Sequence, residues 1–296
     1  MKRSSVRFIS AIPLVLLAFA WAVTPVFAQI DLAGEWASRT HEDNPHRGPG
    51  AELGDYTGLP INAAVRQRAS DWDASILSLP EHQTQPHPAM YFMRGPGPDL
   101  RIEPVYDPVT DALIAYSVEG VFGRDDRVIW MDGRPHPSEY AEHTWDGFST
   151  GKIEGNQLTV ITDHIKYGVI QRNGVAASFN AVVTEHFIRH GDLLTLVSIV
   201  DDPVYLEEPF IRTSQWVRTS NLNLNPGNIV FEVADEIAGH SQGYVPHYPL
   251  GTKQEEFAQR HGLPFEATQG GKETTYPEYE LKLKKMLAEM PKKARE

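Results

Sequence analysis

Twelve histidines and no cysteine define the side-chain chemistry open to this chain. An imidazole can take up a proton near neutral pH, release one, or ligate a metal. Two histidines stand out by their spacing. In QLTVITDHIK, Leu158, Val160, Thr162 and His164 alternate; in AVVTEHFIRH, Val182, Thr184, His186, Ile188 and His190 do the same. Alternate residues of a strand share one face. With Leu158 and Val182 turned to an interior, His164 and His186 line it too, in matching Thr-Asp-His and Thr-Glu-His triplets. Such a pair could serve as general base and general acid. It could also hold a divalent metal with His136 as a third ligand. His87, His136 and His143 come from Pro-rich loops and would gather at the mouth of that interior. No H-x-H, HExxH or Cys/His spacing accompanies them. Glu119 and Glu185 are possible acids, but no carboxylate pair has an informative spacing.

Aromatic residues supply the other cue. Trp130, Tyr140, Trp145 and Tyr167 lie near the same strands and loops, with His143 among them, and could give surface to a small, partly apolar ligand. One string also demands a decision. GFSTG, residues 147–151, has the form G-x-S-x-G, which in α/β-hydrolases marks a nucleophile on a strand-to-helix turn. Here a polar stretch, EYAEHTWD, precedes it, and a turn and a strand, KIEGNQLTVIT, follow. No helix can start there, so Ser149 is expected in a hairpin connection, with Gly147, Gly151 and Gly155 allowing tight turns.

The elements that must position these residues are mostly strands. ALIAYSVEG, DRVIWMDG, NQLTVITDHIK, AVVTEHFIRH, LLTLVSIVDD and FIRTSQWVR are rich in Val, Ile, Thr and aromatics, with turn residues between them. Gly191-Asp192 in IRHGDLL signals a hairpin. Short strands without intervening helices indicate an antiparallel barrel or sandwich. NAAVRQRASDW is expected as a short helix capped by Asn62. After Arg218 the pattern changes. TKQEEFAQRHG and TYPEYELKLKKMLAEM each carry a capping-box signature, Thr252 with Glu255 and Thr275 with Glu278. Residues 219–296 therefore read as a partly helical extension, and 29–218 as the β-domain.

Composition bounds the setting. Lys2, Arg3 and Arg7, an apolar run from Ile9 to Trp21, and Val26-Phe27-Ala28 have the layout of a secretory signal peptide over residues 1–28. Removing it takes three of the 27 basic residues and none of the 39 acidic ones, so 24 against 39 leaves a charge of −15. Such a field disfavours nucleic acid and anionic membrane surfaces. The expected location is periplasmic or extracellular, with no stable membrane insertion after cleavage. With no cysteine, stability must come from a packed core.

Two resemblances add to this reading. Met131-Asp132-Gly133-Arg134, His136-Pro137, then Gly147, Ser149, Gly151, Glu154-Gly155, Leu158-Thr159-Val160 and Thr184-Glu185 with Phe187 resemble a family of uncharacterised secreted bacterial proteins. Its pattern runs MDGR-x-HP, G-x-S-x-G-x-WEG-x-TL-x-V and TE-x-F. Ile153 stands where that pattern has tryptophan. The resemblance spans roughly Asp31 to Arg218 and implies a fold more than an activity. The family often has Asn and Arg at the positions of His164 and His186, which confines any histidine chemistry to a subset. Gly34-Glu35-Trp36 is also similar to the G-x-W of lipocalins, where the tryptophan closes the barrel bottom and stacks on an arginine; Arg218 is placed to do this.

The expectation is an all-β, lipocalin-like or calycin-like antiparallel barrel with a partly helical C-terminal extension. A small, partly apolar molecule would sit inside it, touched by Trp130, Trp145, Tyr167, Tyr140 and His143, with His164 and His186 for polar recognition. A lyase, isomerase or hydrolase using that His pair, with or without a metal on His164, His186 and His136, is the second reading. A non-catalytic envelope protein is the third.

Overall fold

The structure is a computed structural model and describes residues 30–39, 51–79, 88–94, 99–120, 127–222 and 244–291. The signal-peptide stretch and His87 lie outside the described residues. Among the described residues eleven strands form: β1 Gly34–Ser38, β2 Leu100–Tyr106, β3 Leu113–Glu119, β4 Arg127–Trp130, β5 Phe148–Glu154, β6 Gln157–Asp163, β7 Gly168–Val169, β8 Ala176–Ala177, β9 Val182–His190, β10 Leu193–Asp201 and β11 Phe210–Thr219. Nine of them close into a barrel in the order β1-β11-β10-β9-β6-β5-β4-β3-β2, while β7 and β8 pair separately.

One neighbouring pair departs from the antiparallel expectation. β4 and β5 run parallel, with Ile129 opposite Ser149 and Trp130 opposite Thr150. A parallel pair needs a crossover of a dozen or more residues. Residues 131–147, which carry MDGRPHP, provide it. The chain runs back outside the wall and pins itself to the end of β6 through the bridge of Thr144 to Ile165. Thr144 N donates to His164 O at 2.9 Å, and Lys166 N donates to Thr144 O at 2.8 Å.

GFSTG is accordingly mostly strand. Gly147 enters β5 at φ +67, where a Cβ would meet Asp163 O at 2.4 Å. Gly151 lies mid-strand and makes no turn; a Cβ there would meet Met131 Sδ at 2.6 Å and Leu158 Cδ1 at 2.9 Å. This corrects the expected hairpin connection. Gly191, at φ 58, closes the β9–β10 hairpin as its dipeptide signalled.

The lumen is filled by side chains. Trp36, Leu100, Ile102, Val118, Ile129, Leu158, Val160, Phe187, Leu194, Leu196 and Trp216 form one buried cluster. Each fully buried large side chain removes enough apolar surface to contribute about 1.5–3 kcal/mol. At one end Trp36 donates from Nε1 to Leu32 O at 3.0 Å. Two guanidiniums lie over its ring, Arg189 at 5.5 Å and Arg218 at 5.9 Å. The other end is plugged by a second core of Tyr56, Ile61, Val65, Met90, Ile165, Val175 and Tyr205, into which Val183, Val200 and Phe210 reach from the strands.

Helix α1, Ala63–Asp71, is part of that plug, and Asn62 caps it by accepting from Ala64 N and Val65 N. The C-terminal helices are α2, Glu256–Arg260, and α3, Tyr279–Glu289. Neither uses the expected threonine cap. Thr252 and Thr275 donate instead to Pro249 O and Lys272 O, closing the turns upstream. The extension docks mainly on residues 56–72: Tyr56 N donates to Thr268 O, Gly271 N to Leu59 O, and Arg66 Nε to Gln269 O. Among the described residues, no helix is long and apolar enough to cross a membrane.

Candidate functional site

Three strands of the barrel each place one polar residue inside and its chain neighbour outside. On β5 these are Ser149 and Thr150, on β6 Thr162 and Asp163, and on β9 Glu185 and His186. Two clusters follow, on opposite sides of one wall.

The inner cluster is sealed. Arg127 and Glu185 have side chains only 1% exposed and pair at 2.5 Å. Arg127 also donates from Nη2 to Thr162 Oγ1 at 2.8 Å, and from Nε and Nη2 to Ser149 Oγ at 3.3 and 3.2 Å. Ser149 and Thr162 join at 2.8 Å. A buried ion pair loses its hydration, and the hydroxyls offset part of that loss. Ser149 is 2% exposed and engaged on both sides, so it is not presented to substrate.

The outer cluster is half-exposed and built on Asp163. His164 follows β6 with φ at 52, a left-handed conformation uncommon outside glycine. Its Nδ1 lies 2.7 Å from Asp163 Oδ1 and its Nε2 lies 2.8 Å from Ser138 O. Both partners can accept, so the two contacts are satisfied together when the ring is protonated and both nitrogens donate. Asp163 holds the His164 pKa above 6.5, against the opposing effect of burial, with Ser138 O adding to the rise. Burial pushes the Asp163 carboxyl upward, but His164 and His136 outweigh it and leave the group below its ordinary range.

His136, from the crossover, completes a chain. Its Nδ1 sits 2.8 Å from Asp163 Oδ1. That contact is close but is not an aligned hydrogen bond. Its Nε2 lies 2.7 Å from Thr150 Oγ1. With Nδ1 carrying the proton toward Asp163, Nε2 is free to accept from the Thr150 hydroxyl. Phe148 braces the ring edge-on at 5.3 Å.

Thr150 forms part of the wall of a groove of about 690 Å³ that takes residues from both faces of β5, with Leu113, Met131 and Ile153 also packed on the lumen cluster. Leu113, Met131, Ile153 and Ile161 give it apolar surface, and Arg134, Lys152 and Thr159 line it too. Arg134 is held in place by Asp132, 2.5 Å away, and by the Trp130 ring, 3.4 Å from its guanidinium. Lys152 pairs with Glu154 at 2.5 Å. The cavity falls within the size range of small-molecule sites.

The expected convergence of His164 and His186 inside the barrel does not occur. His186 stands on the outer face of β9, opposite Thr159, with Gln157 Nε2 and Thr159 Oγ1 each 3.0 Å from its Nδ1. The reason is phase. Val183, Glu185 and Phe187 are the inward set, not Val182 and His186. His164 has left the strand before its side chain is set. Of the three histidines considered for a metal, His136 and His164 meet at one oxygen of Asp163 and His186 stays apart. Among the described residues, no group of three His, Cys, Asp or Glu side chains could hold a metal ion.

The aromatic set also divides. His143 stacks near His164 at 5.2 Å and edge-on to Phe179 at 5.4 Å, with Tyr167 6.3 Å from Phe179. Trp145 anchors the crossover by accepting from Ala89 N at 2.9 Å. Trp130 carries Arg134, and Tyr140 is 89% exposed. None of the five enters the lumen. Sequence reasoning missed Arg127, Thr150 and Asp163. The Arg127–Glu185 pair spans 58 residues and has no local signal. Thr150 could have been found, because it is the outward neighbour of a serine already singled out.

Comparison with known proteins finds no matching family model, no matching curated protein and no matching solved structure.

Proposed function

We propose that the protein is an exported, lipocalin-like barrel that binds a small, partly apolar molecule in the groove beside β5. The observation that carries this reading is the groove's lining, with Leu113, Met131, Ile153 and Ile161 beside the cations Arg134 and Lys152. Apolar walls with a few placed polar groups suit a ligand with an apolar body and an anionic or hydrogen-bonding end. The filled lumen and its buried ion pair favour this groove over the interior. Burial of Trp36 beneath Arg189 and Arg218 supports the lipocalin likeness.

Anilinonaphthalene sulfonate, an apolar probe with one anionic group, tests the site. The mature protein is expected to bind it at one saturable site. Ile161→Asp removes apolar contact worth about 1.5–3 kcal/mol, so it weakens binding roughly tenfold or more. Arg134→Ala weakens it by removing the cation. A probe that does not saturate, or binds both variants as it binds the parent, overturns the groove and leaves the barrel as a rigid envelope platform.

A further inference from the structure

The geometry points to a hydrolytic site in this groove: Thr150 is the nucleophile, His136 its general base, and Asp163 the group that orients His136, acting on esters with an anionic acyl end. The inference rests on the groove being the ligand site.

The warrant is a chain of three residues joined by two contacts. Thr150 Oγ1 to His136 Nε2 is 2.7 Å, and His136 Nδ1 to Asp163 Oδ1 is 2.8 Å. A hydroxyl, an imidazole and a carboxylate in that order make a nucleophile with its base and the base's orienter, recognised by geometry and not by sequence order. The parts come from three elements: β5, the crossover and the end of β6. Thr150 points out of the barrel into a groove, while its neighbour Ser149 is locked inside. The hydroxyl is therefore held beside open space. His164 adds rigidity, because its ring grips the same carboxylate oxygen from the other side. Lys152, two residues along β5 on the same face, and Arg134 line the groove paired with Glu154 and Asp132. Their remaining N–H donors suit an acyl group ending in a carboxylate.

The reaction balances without a cofactor. Thr150 Oγ forms a bond to the ester carbonyl carbon while its proton passes to His136 Nε2. The ester C–O bond breaks, and the leaving alkoxide takes that proton. Water then attacks the acyl-threonine, giving its proton to His136. Thr150 leaves with that proton, and acid and alcohol are released.

The test uses the mature protein with nitrophenyl succinate monoester. Expected are release of nitrophenol with turnover and a succinyl adduct on the peptide carrying Thr150, trapped by acid quench. Thr150→Ala abolishes both, whereas Thr150→Ser keeps both. His136→Gln and Asp163→Asn each lower turnover by about 10²–10⁴-fold, the range of a positioned acid–base group. Leu281→Ala, on exposed α3, keeps the parental rate, and the loss in Thr150→Ala purified in the same way excludes a contaminating esterase. Saturable anilinonaphthalene sulfonate binding without ester turnover overturns the hydrolytic assignment alone. Turnover or adduct that survives Thr150→Ala overturns it as well. Loss of saturable probe binding in the parent protein overturns the groove reading instead.

Discussion

The two polar clusters share β5 and β6 and differ in nearly everything else. Arg127, Glu185, Ser149 and Thr162 are sealed in the lumen; Asp163, His136, His164 and Thr150 stand one residue over, on the other side of the same wall. Inside, each charge meets an opposite charge or a hydroxyl. Outside, the carboxylate is shared between two imidazoles, and one of them meets the hydroxyl of Thr150, which lines a groove. The strand's two-residue period separates the work. The inner set ties β4, β5, β6 and β9 together, and the outer set is accessible to a ligand. A serine in a hydrolase-like string thus becomes a structural residue, and the threonine after it becomes the chemical candidate.

The largest effect is expected from the inner pair. Glu185→Gln leaves the Arg127 guanidinium buried without its counter-charge and should cost about 3–5 kcal/mol, measured by urea denaturation. Arg127→Met with Glu185→Leu should recover most of that loss, because a packed apolar pair needs no compensating charge. If the single variant were as stable as the parent, the lumen would not be sealed and the contrast would collapse.

Overpacking comes next. Gly151→Ala places a Cβ where Met131 Sδ would be 2.6 Å away and Leu158 Cδ1 2.9 Å. A loss of about 1–3 kcal/mol is expected, read as a lower melting temperature.

The outer cluster should show itself in pH dependence more than in total stability. The folded His164 pKa is raised, so its stabilisation is present in full below about 6.5 and is lost as pH rises through the higher folded value. The folded Asp163 pKa is lowered, so its contribution is present above about 3.9 and is lost as pH falls through the lower folded value. The pair therefore helps most between those limits. Asp163→Asn should destabilise the protein more near pH 5.5 than near pH 8, and NMR titration should find the His164 pKa returned toward the ordinary value. An unmoved His164 titration would remove Asp163 as its partner.

The smallest effect belongs to His186. It stands outside both clusters, and His186→Ala should change stability by less than about 0.5 kcal/mol and leave ester turnover at the parental rate. A large loss of turnover would reinstate it as a functional residue.

Much of the architecture was legible locally. Asn62 announced a cap, Gly191-Asp192 a hairpin, and the Val, Ile and Thr runs a β-rich wall, because each signal depends on neighbours within a few residues. The face of β9 was not. In VVTEHFIRH both alternate sets hold apolar residues, Val182 and Ile188 against Val183 and Phe187, so the pattern has no unique phase. The glutamate that argues against an inward set is tolerated there only because Arg127 arrives from β4. Arg218 was anticipated over Trp36, but Arg189 was not, since it reaches that ring only once the hairpin is placed.

By itself, then, the sequence determined most of the strands, several of their turns and a net negative charge, all properties set by side chains acting on their own stretch of backbone. The tertiary structure alone decided the parallel β4–β5 pairing, the crossover that lays His136 over Thr150, and which of each adjacent pair faces inward. Those depend on contacts between residues far apart in the chain, whose energies appear only when the barrel closes and water is excluded from one side of its wall.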